Sequence, residues 1–137
     1  MFHHPPPGLT GLRLVEAPLR AWQPGRSYDL ITCVHGLHYV GDKVGLIARS
    51  AAWLVKDGLF VANLDAANLK LDDGQAAVQR AVAGLRRCGL EYDRKRRRII
   101  CRGHQVLDLP FRYLGADDRA GPNSTGQPAV NSHYEVA

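Results

Sequence analysis

The sequence predicts an α/β domain in which parallel strands come first and an antiparallel hairpin follows. Two short apolar runs, residues 28–34 and 59–64, have the pattern of buried parallel strands, and the first is rich in β-branched residues and apolar on both faces past Asp29. A helical pattern separates them, and strand, helix, strand in this order forms a crossover unit. A glycine turn at Gly103 lies between two further strand-like runs and favours a hairpin there.

An earlier strand is predicted over Leu12–Val15, where an apolar-rich run ends before Pro18. Proline stops a central strand because it lacks the backbone donor. The helix between the two later strands is predicted to begin at Asp42, which suits an N-cap. It is predicted to end at Asp57-Gly58, because glycine readily adopts the left-handed conformation that follows many helices. Its apolar residues recur at steps of three and four: Val44, Ile47, Ala48, Ala51, Leu54 and Val55.

A second helix is predicted from Asp72 or Asp73 to the neighbourhood of Gly89, with Leu90 as the apolar residue after the cap. Its inward face is predicted to carry four apolar residues: Val78, Ala81, Val82 and Leu85.

The hairpin strands are predicted at Arg96–Arg102 and Gln105–Leu109, around the glycine turn. Residues 1–8 and 115–137 are predicted to be mostly irregular, with one short terminal strand around His133–Val136. Asp, Gly, Pro, Asn and Ser dominate the C-terminal stretch without a sustained period, which is typical of loops.

Length and composition favour a single domain, since 137 residues with 45% hydrophobic content can bury a compact core. No apolar run reaches the roughly 18 residues of a membrane span, and the N-terminal residues lack the apolar centre of a secretory signal, so we expect a cytoplasmic protein without membrane association. Three unpaired cysteines, Cys33, Cys88 and Cys101, predict reduced thiols. The net charge of +5 is concentrated in basic clusters that attract phosphates.

One stretch carries a family resemblance. Tyr28-Asp29-Leu30-Ile31 is followed by His35-Gly36-Leu37-His38-Tyr39, and the next helix pattern ends in Trp53-Leu54-Val55-Lys56-Asp57-Gly58 before an apolar strand. This order resembles the region from the fourth to the fifth strand of the Rossmann-like, S-adenosylmethionine-dependent methyltransferases. The resemblance implies a partial Rossmann-like sheet, namely strands three to seven of the family, and a methyl-transferring enzyme with S-adenosylmethionine as its cofactor.

The resemblance also assigns cofactor residues. Residues 13–17 look like the family's third strand, which implies that Glu16 and Ala17 lie near the adenine. Val34 would form the floor of the cofactor site, and the closing hairpin looks like the family's sixth and seventh strands.

The glycine-rich turn after the family's first strand and the acidic residue after its second strand are absent from these 137 residues. In the family's sheet, of order 3-2-1-4-5-7-6, those two strands separate the third strand from the fourth by about 14 Å. We therefore expect an incomplete domain with weak or no cofactor binding on its own. An unpaired apolar edge on the fourth strand would favour self-association or pairing with a partner chain.

His35 and His38 follow the presumed fourth strand, at the end where open α/β sheets place ligands. Both are candidate catalytic residues, because histidine exchanges its proton near neutral pH; the alternative is that they cap the loop by hydrogen bonding. Asn63 and Asp65 end the next strand and face the same rim. Cys33 adds a third metal-capable side chain near the histidines, but without a fourth ligand we predict no metal site.

Two other functions stay open. Besides the methyltransferase described above, the second possibility is a non-catalytic, split module that docks to a polypeptide carrying the missing strands. The third possibility is a small basic nucleic-acid-binding domain that uses Arg94–Arg98. The same arginines also suit a solvated edge strand, where charge prevents aggregation, and we favour that interpretation over nucleic-acid binding.

Overall fold

The computed structural model describes residues 15–17, 21–71, 77–121 and 128–136. Within these residues the chain is a mixed α/β structure with two helices, as the sequence predicts, but it has two small sheets where the sequence predicts a single one. The elements are β1 (Tyr28–Cys33), α1 (Lys43–Ala52), β2 (Leu54–Asn63), β3 (Leu69–Leu71), α2 (Ala77–Arg87), β4 (Glu91–Asp93), β5 (Arg98–Arg102), β6 (Phe111–Asp117) and β7 (Asn131–Val136). Two 3₁₀ helices cover Gly36–Tyr39 and Ala66–Asn68.

The first sheet has the strand order β1-β2-β5-β4. β1 and β2 are parallel and α1 connects them, so the predicted crossover unit is confirmed. β5 pairs antiparallel with both β2 and β4. The second sheet has the order β3-β7-β6, in which β7 is parallel to β3 and antiparallel to β6.

One face of the first sheet forms the core together with α1 and α2. Cross-strand neighbours on that face include Phe60 with Cys101 and Ala62 with Ile99, all essentially buried. The helices contribute Ile47 and other apolar side chains to the same cluster: Val44, Leu46, Ala51, Ala81, Val82 and Leu85.

The opposite face leaves β1 exposed, which corrects the prediction that residues 28–34 are buried on both faces. Leu30 is 59% exposed and Val34 is 62% exposed. Burial on both faces needs a layer on each side of the sheet, and among the described residues β1 has β2 as its strand neighbour and its core contacts on one face, through Ile31 and Cys33.

The first helix is shorter than predicted. Asp42 caps it as expected, with Oδ1 accepting from the Gly45 amide at 2.9 Å, but the helix ends at Ala52 and not at Asp57-Gly58. Leu54 and Val55, predicted on its inner face, belong to β2. The Gly103 and His104 amides donate to backbone carbonyls of this segment, at 2.7 Å to Gly58 and 3.0 Å to Val55, and these distant donors favour the extended conformation.

The hairpin is also displaced from its predicted position. β4 and β5 form it, closed by the turn at residues 94–97, whereas Gln105–Leu109 contains no strand. Gly103 has a positive φ of 80°, as predicted for a turn. Its amide, however, donates to the Gly58 carbonyl in β2 and not to a strand that follows the turn.

At the chain ends the predictions are partly wrong. Leu12–Leu14 and residues 1–8 lie outside the described residues, and Val15 at the end of the predicted first strand is not in a strand. The predicted terminal strand is confirmed as β7, but β6 extends to Asp117 in the stretch predicted to be irregular.

The second helix ends as predicted: Gly89 has φ of 95° and the Leu90 amide donates to the Leu85 carbonyl. Ala81, Val82 and Leu85 are buried, whereas Val78 is 39% exposed, which corrects its predicted inward position.

A buried polar network joins the second sheet to the start of α1. The Lys43 ammonium group donates to the carbonyls of Val40 (2.8 Å) and Val130 (2.7 Å) and to the Ser132 hydroxyl (3.1 Å). The Tyr134 hydroxyl donates to the Asp42 carboxylate at 2.9 Å. Through these contacts β7 is fixed to the start of α1.

Candidate functional site

A polar cleft of about 350 Å³ lies at the carboxyl ends of β1 and β2. Open α/β sheets place their ligands at this end of parallel strands. Three small residues, Ala120, Gly121 and Ala129, form part of the wall. The polar lining comes from three separate segments: His35, His38, Asn63, Asp65, Asn68, Arg96 and Arg97.

The loop after β1 supplies the two histidines that the sequence singles out. Leu37 between them is fully buried and anchors the 3₁₀ helix, while the His38 carbonyl accepts from the Val130 amide at 2.7 Å. The imidazole rings are stacked with their centroids 5.7 Å apart. The structure therefore brings His35 and His38 together in the cleft, and the His35 side chain forms no hydrogen bond that caps the 3₁₀ helix.

The electrostatic surroundings of His38 favour its neutral form. Partial burial lowers the pKa of His38 below its usual value, and the neighbouring His35 lowers it further. The charges of Lys43 and Arg97 act in the same direction, while Asp65 opposes them. A neutral imidazole has a free lone pair on one nitrogen, so His38 can accept a proton from a bound ligand.

The turn after β2 supplies the amide and carboxylate groups. The Tyr92 hydroxyl donates to the Leu64 carbonyl at 2.7 Å and accepts from the Ala66 amide at 3.3 Å. These two hydrogen bonds hold the turn in place. Asp65 caps the short 3₁₀ helix, with Oδ1 accepting from the Ala67 amide at 3.0 Å. Asn63 and Asp65 thus face the rim as the sequence indicates.

The hairpin turn supplies the positive charge. Arg97 Nη1 lies 3.5 Å from Asp65 Oδ2, and Arg96 Nη1 lies 3.4 Å from Asp93 Oδ2. Arg97 has φ of 53°, a left-handed conformation that non-glycine residues rarely adopt. The Arg97 carbonyl accepts from the Leu64 amide at 2.8 Å, which ties the hairpin turn to the end of β2.

Sequence reasoning missed the part that the arginines play in this cleft. It assigned Arg94–Arg98 to a solvated edge, because a run of five basic residues carries no periodicity that marks which of them turn inward. Asn68, which is 9% exposed, was missed as well. A correct hairpin register was the signal needed, since the turn at 94–97 brings two of the arginines to the end of β2.

The residues predicted to hold the cofactor are not brought together by the described structure. Glu16 and Ala17 are exposed in an irregular segment, and neither lines the cleft. Val34 directly follows β1 but is largely exposed and is also not a lining residue. Among the described residues no group of three His, Cys, Asp or Glu side chains is placed to hold a metal ion.

No protein-family model, no curated protein and no solved structure matches this chain. No helix in the described part of the chain has the length and apolar character needed to cross a membrane.

Proposed function

We propose that the chain is the C-terminal part of a Rossmann-like, S-adenosylmethionine-dependent methyltransferase domain. The observation that carries this proposal is the strand order β1-β2-β5-β4. If β1 is the family's fourth strand, this order reads 4-5-7-6, with the seventh strand antiparallel and inserted between the fifth and the sixth. An inserted antiparallel strand is an unusual end for a sheet that starts with a parallel crossover, so the agreement is specific.

The position of the cleft supports the same function. It lies where the loops after the family's fourth and fifth strands meet, at the ligand-binding end of the sheet. We assign His38 as the residue that accepts the proton of the methyl acceptor, because its environment keeps the ring neutral. His35 stacks on it and holds the ring in place.

The residues present do not complete a site for S-adenosylmethionine. No glycine-rich turn is found in the sequence, and Glu16, Ala17 and Val34 are exposed and outside the cleft. One edge of β1 is free among the described residues, and strands one and two of the family would join the sheet there. We propose that another polypeptide segment supplies these strands, and that these 137 residues alone do not bind the cofactor.

A chimera tests this proposal. The three N-terminal strands of a methyltransferase of this fold, with their glycine-rich turn, would be fused before residue 21, and binding of S-adenosylhomocysteine would be measured by calorimetry. We expect micromolar affinity for the chimera and none for the 137-residue chain. A second chimera, in which the glycines of the turn are replaced by valine, serves as the control and should not bind, because side chains there block the close approach of the cofactor.

Two outcomes would contradict the proposal. The first is a chimera that unfolds in two separate transitions, since β1 would then not accept the added strands. The second is a chimera that unfolds cooperatively but does not bind S-adenosylhomocysteine. Micromolar binding by the 137-residue chain alone would contradict the statement that its cofactor site is incomplete.

The non-catalytic alternative rests on the same free edge of β1. In that case the chain docks to its partner through β1 and the cleft takes no part in catalysis. Replacement of His38 by alanine in the binding-competent chimera separates the two, because methyl transfer should fall by roughly a hundredfold or more if His38 accepts the proton and stay unchanged if the chain is a docking module.

A further inference from the structure

We propose that the cleft binds a small molecule through an oxyanion, either a phosphate or a carboxylate, which Arg97 and Arg96 recognise. The identity of this molecule as the methyl acceptor rests on the proposed function, whereas oxyanion binding by the cleft does not.

The balance of charge in the cleft favours an anion. Among the described residues, two guanidinium groups and two amide side chains line it, against a single carboxylate, that of Asp65. Asp65 uses Oδ1 for the Ala67 amide, and its Oδ2 lies 3.5 Å from Arg97 Nη1. Since a guanidinium has five N–H donors, Arg97 keeps donors for a ligand while Asp65 holds its position.

The backbone of Arg97 points to the same role. Asparagine and glycine are the residues that tolerate a left-handed conformation, yet an arginine with φ of 53° occupies this turn position. Residues held in such conformations concentrate at ligand sites. The arrangement places the Arg97 guanidinium against Asp65 at the cleft, whereas asparagine there would satisfy the turn without supplying a charge.

The size of the cleft limits the ligand to a small molecule. A volume of about 350 Å³ is at the lower end of the range for small-molecule sites. A single-stranded nucleic acid instead binds in an extended basic groove with stacking aromatic residues. Arg96 lies beside Asp93 of the hairpin and Arg97 beside Asp65 after β2, and no Phe, Tyr or Trp is among the described residues that line the cleft.

The experiment is a titration of the 137-residue chain with inorganic phosphate and, in a second series, with acetate, followed by NMR of the His35 and His38 ring signals. Sodium chloride at matched ionic strength corrects for screening. We expect saturable shifts with millimolar affinity for at least one of the two anions, and the tighter one identifies the class of oxyanion. Arg97→Asn should weaken binding about tenfold, the effect of one lost charge-assisted hydrogen bond.

Arg98→Gln is the matched control, because Arg98 belongs to the same basic run, is exposed and does not line the cleft. The affinity of this variant for the two anions should equal that of the unmodified chain.

The proposal is overturned if neither anion gives saturable shifts, or if Arg98→Gln weakens binding as much as Arg97→Asn. It is also overturned if a single-stranded oligonucleotide displaces phosphate and Arg98 contributes equally to that binding, since the basic run would then be a nucleic-acid surface. Phosphate binding by the chain together with a chimera that fails to bind S-adenosylhomocysteine would remove the methyltransferase proposal and leave the oxyanion site intact.

Discussion

Lys43 shows how much a single side chain contributes to this fold. Its side chain is fully buried, and its three hydrogen-bond partners are two carbonyls and a hydroxyl, none of them charged. Burial lowers the pKa of Lys43 from 10.5 to about 8. A change of this size corresponds to roughly 3 kcal/mol of unfavourable free energy for the protonated form in the folded state. The ammonium group that makes the hydrogen bonds between β7 and α1 therefore lowers the free energy of unfolding through its own desolvation.

Lys43→Met should change how stability depends on pH. Between about pH 8 and pH 10.5 the unfolded chain holds the Lys43 proton and the folded chain has released it, so the free energy of unfolding rises with pH. Below pH 8 both states are protonated and the cost is fully present. We expect the stability of the unmodified chain, relative to the methionine variant, to increase by about 2 kcal/mol between pH 7 and pH 9.5. Urea unfolding at each pH measures this difference.

The comparison with a variant is necessary because other groups titrate in the same interval. Burial raises the pKa of Cys101 and of Tyr92, and groups of that kind lower stability as the pH rises. Lys56→Met, at an exposed position of β2, is the control and should show no such trend. A difference between the unmodified chain and Lys43→Met that stays constant from pH 7 to pH 9.5 would refute the proposed cost.

At the scale of elements, close backbone contacts decide where strands begin and end. A Cβ atom on Gly58 would lie 2.9 Å from the Tyr28 carbonyl oxygen, so glycine at this position lets β2 approach β1 and does not cap a helix. Gly103 combines φ of 80° with a Cβ position 2.5 Å from the Lys56 carbonyl oxygen. After the end of β5 the backbone therefore lies so close to Lys56 in β2 that no side chain fits at position 103.

Gly103→Ala should destabilise the fold by about 3 kcal/mol. Left-handed backbone costs an alanine about 1 kcal/mol, and displacement of a packed backbone costs a further 2 kcal/mol or so. The amides at positions 103 and 104 should lose protection, because they donate to the Gly58 and Val55 carbonyls across this contact. Thermal unfolding and hydrogen exchange measure these effects. Gly25→Ala, where no atom lies within 4 Å of the added Cβ, should stay within about 0.5 kcal/mol, and an equal loss in both variants would disprove the contact.

For the whole molecule, one shared core holds both sheets, while β1 has a free edge in the described structure. The buried cluster runs from Leu37 and Ile47 through Ile99 to Tyr134, and so spans both sheets and both helices. On the other side, Leu30 and Val34 expose apolar surface next to the unpaired backbone of β1. Edge strands of this kind pair with other chains.

In the absence of a strand-supplying segment, we expect this edge to pair with a second copy of the chain. The double variant Leu30→Lys with Val34→Lys should shift the protein towards monomer, because charge on an edge strand opposes strand pairing. Sedimentation velocity over a hundredfold range of concentration measures the shift. Val106→Lys replaces a valine that is 86% exposed and outside both sheets, and should leave association unchanged. Association that persists equally in all three proteins would exclude the β1 edge.

The sequence predicts only the part of the candidate site that lies next to the two parallel strands. His35, His38, Asn63 and Asp65 lie at or soon after the ends of two strands that the sequence marks clearly, so their position at the end of the sheet follows from the crossover unit. Arg97 belongs to a turn whose position depends on strand pairing, and nothing local in a basic run predicts which side chain turns inward.

The sequence by itself determined β1, α1 with its Asp42 cap, the apolar part of β2 and the end of α2 at Gly89, because apolar periodicity and capping act between residues a few positions apart. Only the tertiary structure decided that α1 ends at Ala52, that β5 lies between β2 and β4, and that Arg97 reaches the cleft. These features depend on hydrogen bonds between segments that are far apart in the chain, such as the amides of Gly103 and His104 with the carbonyls of Gly58 and Val55. Such long-range bonds override local helical preference, because each buried backbone group must find a partner wherever the fold supplies one.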